Sequence, residues 1–106
     1  MFVKVYVYHI KTDKMKDYFR IQEKAGEIYG RYIDSQTTYL QSREDATKWM
    51  EITKYKSEEE YNKSIKLINT HKEIQELFKS FQSVLMESKS EILEENFTKV
   101  MTKNTL

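Results

Sequence analysis

The segment Phe2-Val3-Lys4-Val5-Tyr6-Val7-Tyr8-His9-Ile10 is rich in β-branched and aromatic residues, with Val3, Val5 and Val7 on one parity and Phe2, Tyr6, Tyr8 and Ile10 on the other. Successive side chains of a strand point to opposite faces, so apolar groups on both parities predict a central strand covered on both sides. Beyond it, Met15, Tyr18, Phe19, Gln22, Ala25 and Tyr29 recur at three- and four-residue spacing. That spacing predicts an amphipathic helix, capped by Thr12 or Asp13 and closed by Gly30 in the left-handed conformation. The run from Tyr32 to Arg43 is β-branched and aromatic in places but more polar, as in a strand with one wet face. From Lys48 to Tyr55, strict alternation separates Trp49, Thr53 and Tyr55 from Met50 and Ile52. These two segments predict neighbouring strands joined as a hairpin.

Two capping boxes follow, Ser57 with Glu60 and Thr70 with Glu73, in which a hydroxyl and a glutamate three residues on can satisfy orphan backbone donors reciprocally. They predict consecutive helices, the first carrying Tyr61, Ile65 and Ile68 on one face and the second Ile74, Leu77, Phe78, Phe81 and Leu85. From Glu91 to Val100 the apolar periodicity by itself fits a helix, and a helical C-terminal half is the alternative fold. A chain that starts β-α-β-β-α nevertheless leaves an antiparallel sheet one strand short, and layered domains complete it, which predicts a strand there. The expected fold is α+β, a ferredoxin-like plait of order β-α-β-β-α-α-β with an antiparallel sheet. It forms a single domain over residues 1–101, with a C-terminal tail at 102–106.

With 106 residues there is room for one core, and a chain this short keeps much of its surface wet, which makes self-association a standing expectation. Lys and Arg number 18 against 17 Asp and Glu, so neither sign dominates and no footprint for nucleic acid or an anionic membrane is present. The absence of cysteine removes disulfides, thiolate nucleophiles and Cys-ligated metals, and no metal site is expected. Gly26 and Gly30, the two glycines, lie at one helix end and cannot build a phosphate cradle or a nucleophile elbow, which sets aside kinases, NTPases and hydrolases. Apolar runs are short and Met1 leads directly into the first patterned segment, so a cytoplasmic protein without membrane spans is expected.

The chain resembles the dimeric α/β-barrel superfamily of antibiotic-biosynthesis-monooxygenase-like and NIPSNAP-like domains. The likeness rests on Val3-Lys4-Val5-Tyr6-Val7-Tyr8 before an amphipathic helix, on Glu51-Ile52-Thr53-Lys54-Tyr55-Lys56-Ser57-Glu58-Glu59-Glu60-Tyr61, and on His71-Lys72-Glu73-Ile74-Gln75-Glu76-Leu77-Phe78. It implies a homodimer whose sheets pack face to face, and a pocket in each subunit between helices and sheet that takes a small apolar or aromatic molecule. The activity implied is cofactor-independent, monooxygenase-like oxygenation. A non-catalytic stress-associated or interaction module on the same fold is the alternative. Heme binding or degradation is disfavoured: that branch uses a strand Asn, a helix Trp and a helix His, of which only His71 has a counterpart here.

The candidate catalytic residues are His71 and Tyr55. Histidine exchanges a proton near neutrality, and at a helix N-terminus the dipole favours its neutral form. Tyr6, Tyr8, His9, Trp49 and Phe78 are candidates for lining the pocket or the dimer interface, since a buried ring with a hydrogen-bonding edge suits either place. The carboxylates of Glu58-Glu59-Glu60 and Glu94-Glu95 read as solvated faces, the first run complementing a helix dipole.

Overall fold

A computed structural model describes residues 1–105. The chain runs β1 (Phe2–His9), α1 (Met15–Tyr29), β2 (Ser35–Gln41), β3 (Lys48–Tyr55), α2 (Glu58–Ile68), α3 (Lys72–Val84) and β4 (Leu93–Thr98), with single 3₁₀ turns at Thr12–Lys14 and Glu87–Lys89. The four strands form one antiparallel sheet in the order β2-β3-β1-β4. This is the ferredoxin-like plait, and the last segment is a strand paired along β1 from Phe2↔Thr98 to Val7↔Leu93. Of the tail expected at 102–106, Leu106 lies outside the described residues.

Pairing fixes which residues share a face. The β1–β3 register sets Phe2 opposite Tyr55, Lys4 opposite Thr53, Tyr6 opposite Glu51 and Tyr8 opposite Trp49, and all of these look toward the helices. Two clusters fill the space beneath the helices. Tyr8, Ile10, Tyr18, Ile21, Trp49, Val84 and Leu85 form one, and Phe2, Ile28, Ile33, Tyr55, Ile68 and Ile74 form the other. The end of α3 is pinned to β1 by backbone bonds from Lys11 N to Val84 O (2.9 Å) and from Met86 N to His9 O (3.0 Å). On the opposite face Val3, Val5 and Val7 are flanked by Met50 and Ile52 of β3, Leu40 of β2 and Leu93 and Phe97 of β4. No helix covers that face, and Leu40, Met50, Leu93 and Phe97 are exposed there.

Several local expectations are corrected. Neither Thr12 nor Asp13 caps α1: the chain enters it through a 3₁₀ turn, with Lys14 at the N-cap and no side-chain cap. Gly30 has φ −62°, in the right-handed region, because the helix exits through tightened turns in which Arg31 N bonds Ile28 O and Tyr32 N bonds Tyr29 O. Five of the six residues of the expected inner stripe of α1 face the core or the space beneath the helices, Tyr18 buried and Met15, Gln22, Ala25 and Tyr29 half-buried; Ile21 and Ile28 join them, and Phe19 is left half exposed. Of the two capping boxes, Ser57 accepts from Glu60 N as expected. The second box does not form: α2 and α3 are separated by so few residues that Thr70 donates back to Leu67 O (2.6 Å), and His71 takes the N-cap position. The second strand is shorter than Tyr32–Arg43, spanning Ser35–Gln41.

Ile10 is fully buried where β1 meets the end of α3. Ile10→Ala is expected to lower unfolding stability by ~2–5 kcal/mol in urea titrations. Ser57→Ala, which removes the one side-chain cap on these helices among the described residues, is expected to lower it by ~1 kcal/mol.

Candidate functional site

A cavity of about 380 Å³ lies between the helices and the β1–β3–β2 part of the sheet. The strands supply Tyr6 from β1, Thr37 and Tyr39 from β2, and Glu51, Thr53 and Tyr55 from β3, each on the helix-facing parity. The helices supply Gln22, Ala25, Gly26 and Tyr29 from α1, Tyr61 and Ile65 from α2, and Leu77, Phe78 and Phe81 from α3. Gly26 leaves a gap in this wall, since a Cβ built on it meets no atom within 4 Å.

Among the described residues, five tyrosines, one carboxylate and no Lys, Arg or His line the cavity. The carboxylate is Glu51. Burial raises its pKa, the hydrogen bond from Tyr8 draws it part way back, and no cation contributes. The Tyr8 hydroxyl donates to Glu51 Oε1 at 2.8 Å and lies 2.7 Å from the Tyr18 hydroxyl. Because Tyr8 has a single proton and gives it to Glu51, Tyr18 must be the donor to Tyr8. The chain Tyr18 to Tyr8 to Glu51 thus runs one way and ends on the carboxylate as acceptor, an arrangement that favours its ionised form.

The tyrosines themselves are held neutral. Burial pushes Tyr29 up to about 12. Burial also raises Tyr6, Tyr39, Tyr55 and Tyr61, and the Glu51 charge adds to the first three. None of them is a ready phenolate base; each is a hydroxyl that donates or accepts. Tyr39 donates to Gln22 Oε1 (2.9 Å), and the Thr37 and Thr53 hydroxyls pair across β2 and β3 (2.9 Å). Tyr55 stacks edge-on against Tyr61 with centroids 4.8 Å apart.

Of the residues singled out from sequence, Tyr6, Tyr55 and Phe78 line the cavity, with Phe78 half exposed. Tyr8 and Trp49 lie in the neighbouring core cluster, Tyr8 reaching the site through Glu51 and Trp49 packing on Tyr18 at 5.1 Å between centroids. The Trp49 Nε1 is buried without a hydrogen-bond partner. His9 is at the end of β1 on the opposite face, with Nδ1 2.9 Å from Thr47 Oγ1. His71 caps α3 and bonds the Tyr32 hydroxyl outside the cavity. Sequence reasoning misses Glu51 because its neighbours are hydrophobic or aromatic. The signal is its parity: it falls on the Trp49, Thr53 and Tyr55 side of an alternating strand, where an acid is out of place unless it has work to do.

Among the described residues no group of side chains is placed to hold a metal ion, and no helix is long and apolar enough to cross a membrane. The heme-binding set does not assemble here either, since neither histidine reaches the cavity.

No protein-family model matches the chain, and no curated protein matches it in sequence. Solved structures do match. An uncharacterized NIPSNAP domain protein from Burkholderia xenovorans superposes with TM-score 0.74 at 11% identity, over 99% of this chain and 100% of that one. A mutant of SnoaB, a cofactor-independent oxygenase from Streptomyces nogalater, superposes with TM-score 0.73 at 9% identity, over 95% and 94%. A NIPSNAP family protein with unknown function from Agrobacterium tumefaciens gives 0.65 at 15% identity, over 92% and 84%. The chain has the fold of antibiotic-biosynthesis-monooxygenase-like and NIPSNAP-like domains, as its sequence resemblance implied.

The raised pKa of Glu51 couples stability to pH. A carboxyl that binds its proton more tightly when folded than when unfolded leaves stability highest below its unfolded value, and lowers it as pH rises toward the folded value. Glu51→Gln removes that penalty. Chemical denaturation at pH 4 and pH 8 is therefore expected to show the variant gaining on wild type at the higher pH.

Proposed function

We propose that this protein is a homodimer, that its two sheets pack against each other through the face without helices, and that each subunit binds a small aromatic molecule in its tyrosine-lined cavity. The observation that carries the reading is the cavity itself: apolar rings, several hydroxyls and one acid converge there, the composition of a small-ligand site. Its size is near the lower end of the ~300–1,000 Å³ range for such sites, which suits one or two rings. The near-neutral charge supports a small molecule over nucleic acid as the partner. The lack of cysteine suits a cytoplasmic location. Tyr55 and Tyr6 act here as hydrogen-bonding walls and Phe78 as part of the rim.

For the dimer, the supporting feature is the open sheet face. Its central valines, with Met50, Ile52, Leu40, Leu93 and Phe97, form an apolar surface that a two-fold copy matches with the same residues. Light scattering is expected to give about twice the 12.9 kDa chain mass, and Val5→Glu to give the monomer. A wild-type monomer at high concentration contradicts the dimer.

A second reading is cofactor-free oxygenation, favoured by Glu51. The one acid in an otherwise apolar cavity can take a proton from an electron-rich carbon acid or phenol. The resulting anion can reduce dioxygen directly. For a methylene carbon the balance closes without a further reductant: the methylene and one dioxygen become a carbonyl and one water. One oxygen atom stays in the product, and the other leaves with the two hydrogens of the methylene. SnoaB is described as a cofactor-independent oxygenase on this fold, which supports a site without a cofactor.

Both readings meet in one experiment. Gly26→Leu fills the open gap in the cavity wall while improving local helix propensity by ~0.8 kcal/mol. It is expected to abolish the NMR shift changes that 2-naphthol produces in wild type, with thermal stability retained. Anthrone-dependent oxygen uptake by wild type, lost in Glu51→Gln, would support the oxygenase, whereas binding without uptake supports the non-catalytic module. Equal response of wild type and Gly26→Leu to 2-naphthol would contradict the cavity as the site.

A further inference from the structure

We infer that the cavity selects a positively charged ligand, an arylalkyl ammonium whose cation sits between Glu51 and the surrounding tyrosine rings. This rests on the reading above that the cavity binds a small aromatic molecule, and narrows its class.

The charges around the site point one way. Among the described residues Glu51 is the one carboxylic acid on the wall, and no Lys, Arg or His accompanies it. The buried cation on the same face of the sheet, Lys4, is already committed: its Nζ lies 2.6 Å from Glu94 Oε1 and 2.8 Å from Asn96 Oδ1, and 4.9 Å from the Tyr61 centroid. The hydroxyl chain from Tyr18 through Tyr8 delivers its donor to Glu51, so the protein stabilises a carboxylate there without neutralising it. Such a charge is costly to bury and gains most from a counter-ion that arrives with the ligand.

The rings add to the same preference. Tyr6, Tyr29, Tyr39, Tyr55 and Tyr61 surround the space, and an aromatic face attracts a cation and repels an anion. The carboxylate and the rings favour a cation over an anion in this space. Apolar residues of α1 and α3, such as Ala25, Leu77 and Phe81, leave room for a ring beside the charged end. An ammonium seated on Glu51 would occupy the group that the oxygenase reading needs as a base, so the two make opposite demands on that residue.

Three probes share one hydroxyphenyl ring and differ in charge: tyramine is a cation at pH 7, tyrosol is neutral and 4-hydroxyphenylacetate is an anion. Binding to the full chain is followed by NMR shifts of cavity residues. Tyramine is expected to bind at least ~10-fold more tightly than tyrosol, with the anion weakest. Glu51→Gln should remove the tyramine advantage over tyrosol, with the variant's NMR shift dispersion and thermal unfolding showing that it is folded. Tyrosol binding as tightly as tyramine, or a tyramine advantage that survives Glu51→Gln, overturns the inference and leaves the cavity reading intact. Failure of all three probes to shift cavity residues overturns both.

Discussion

The register of β1 against β3 is the constraint on which everything else in this protein depends. Strand side chains alternate with a period of two, so a slip by one residue would exchange the two faces of the sheet. In the register adopted, Tyr6 faces Glu51 and Tyr8 faces Trp49 beneath the helices, while Val5 faces Ile52 and Val7 faces Met50 on the open side. One pairing therefore makes both a polar, ring-lined chamber and an apolar surface. The slipped alternative would bury the valines under α1 and α3 and expose the tyrosines, Glu51 and Lys4 together. Hydrophobic burial alone does not choose between these, because both faces carry apolar groups. The choice is made by the large rings of Phe2, Tyr8, Trp49 and Tyr55, which fill the depth between sheet and helices in the two core clusters.

Against that well-packed background Glu51 is the exception. A packed interior gains nothing from an acid whose proton affinity burial has raised, and Gln or Met at the same position would spare the desolvation penalty. Two tyrosines, 18 and 8, are arranged to supply a donor to it, at the expense of hydroxyls that are themselves buried. Places where a sequence departs from local consistency and supports the departure with specific hydrogen bonds are candidates for a functional site. Lys4 is a contrasting case. It too is buried on the helix side, but Glu94 and Asn96 on the next strand answer its charge within the fold, and it needs no outside partner.

Much of the architecture was legible because it is written in period-two and capping signals. The alternation from Lys48 to Tyr55 placed β3 to its last residue, and the need to complete the sheet placed β4 where apolar periodicity alone favoured a helix. The helix ends were less legible, because they depend on how the chain leaves one element for the next. Gly30 reads as a helix end and Thr70 as a helix start by residue type, yet each sits in a tight turn that leaves no use for a left-handed glycine or a second hydroxyl cap. The inner stripe of α1 was legible from its spacing except at Phe19, which points outward, while Ile21 and Ile28 beside the stripe are buried once the sheet is in place.

The cavity was half legible. Tyr6, Tyr55 and Phe78 could be chosen as aromatic residues on patterned elements, and they do line it. Histidines attract attention in any sequence for their chemistry, but His9 lies at a strand end on the other face and His71 at a helix cap, positions set by topology and invisible to residue type. The acid that matters was hidden among apolar neighbours. The site depends on Glu51 being an uncompensated carboxyl inside a ring-lined cavity, and its side-chain ¹³C shift followed through a pH titration of the ligand-free protein tests that most directly. The structure predicts a midpoint above the ordinary glutamate value, displaced further upward in Tyr8→Phe, where the bond favouring the ionised form is lost. A midpoint at or below that of an exposed glutamate, unmoved by Tyr8→Phe, would contradict it.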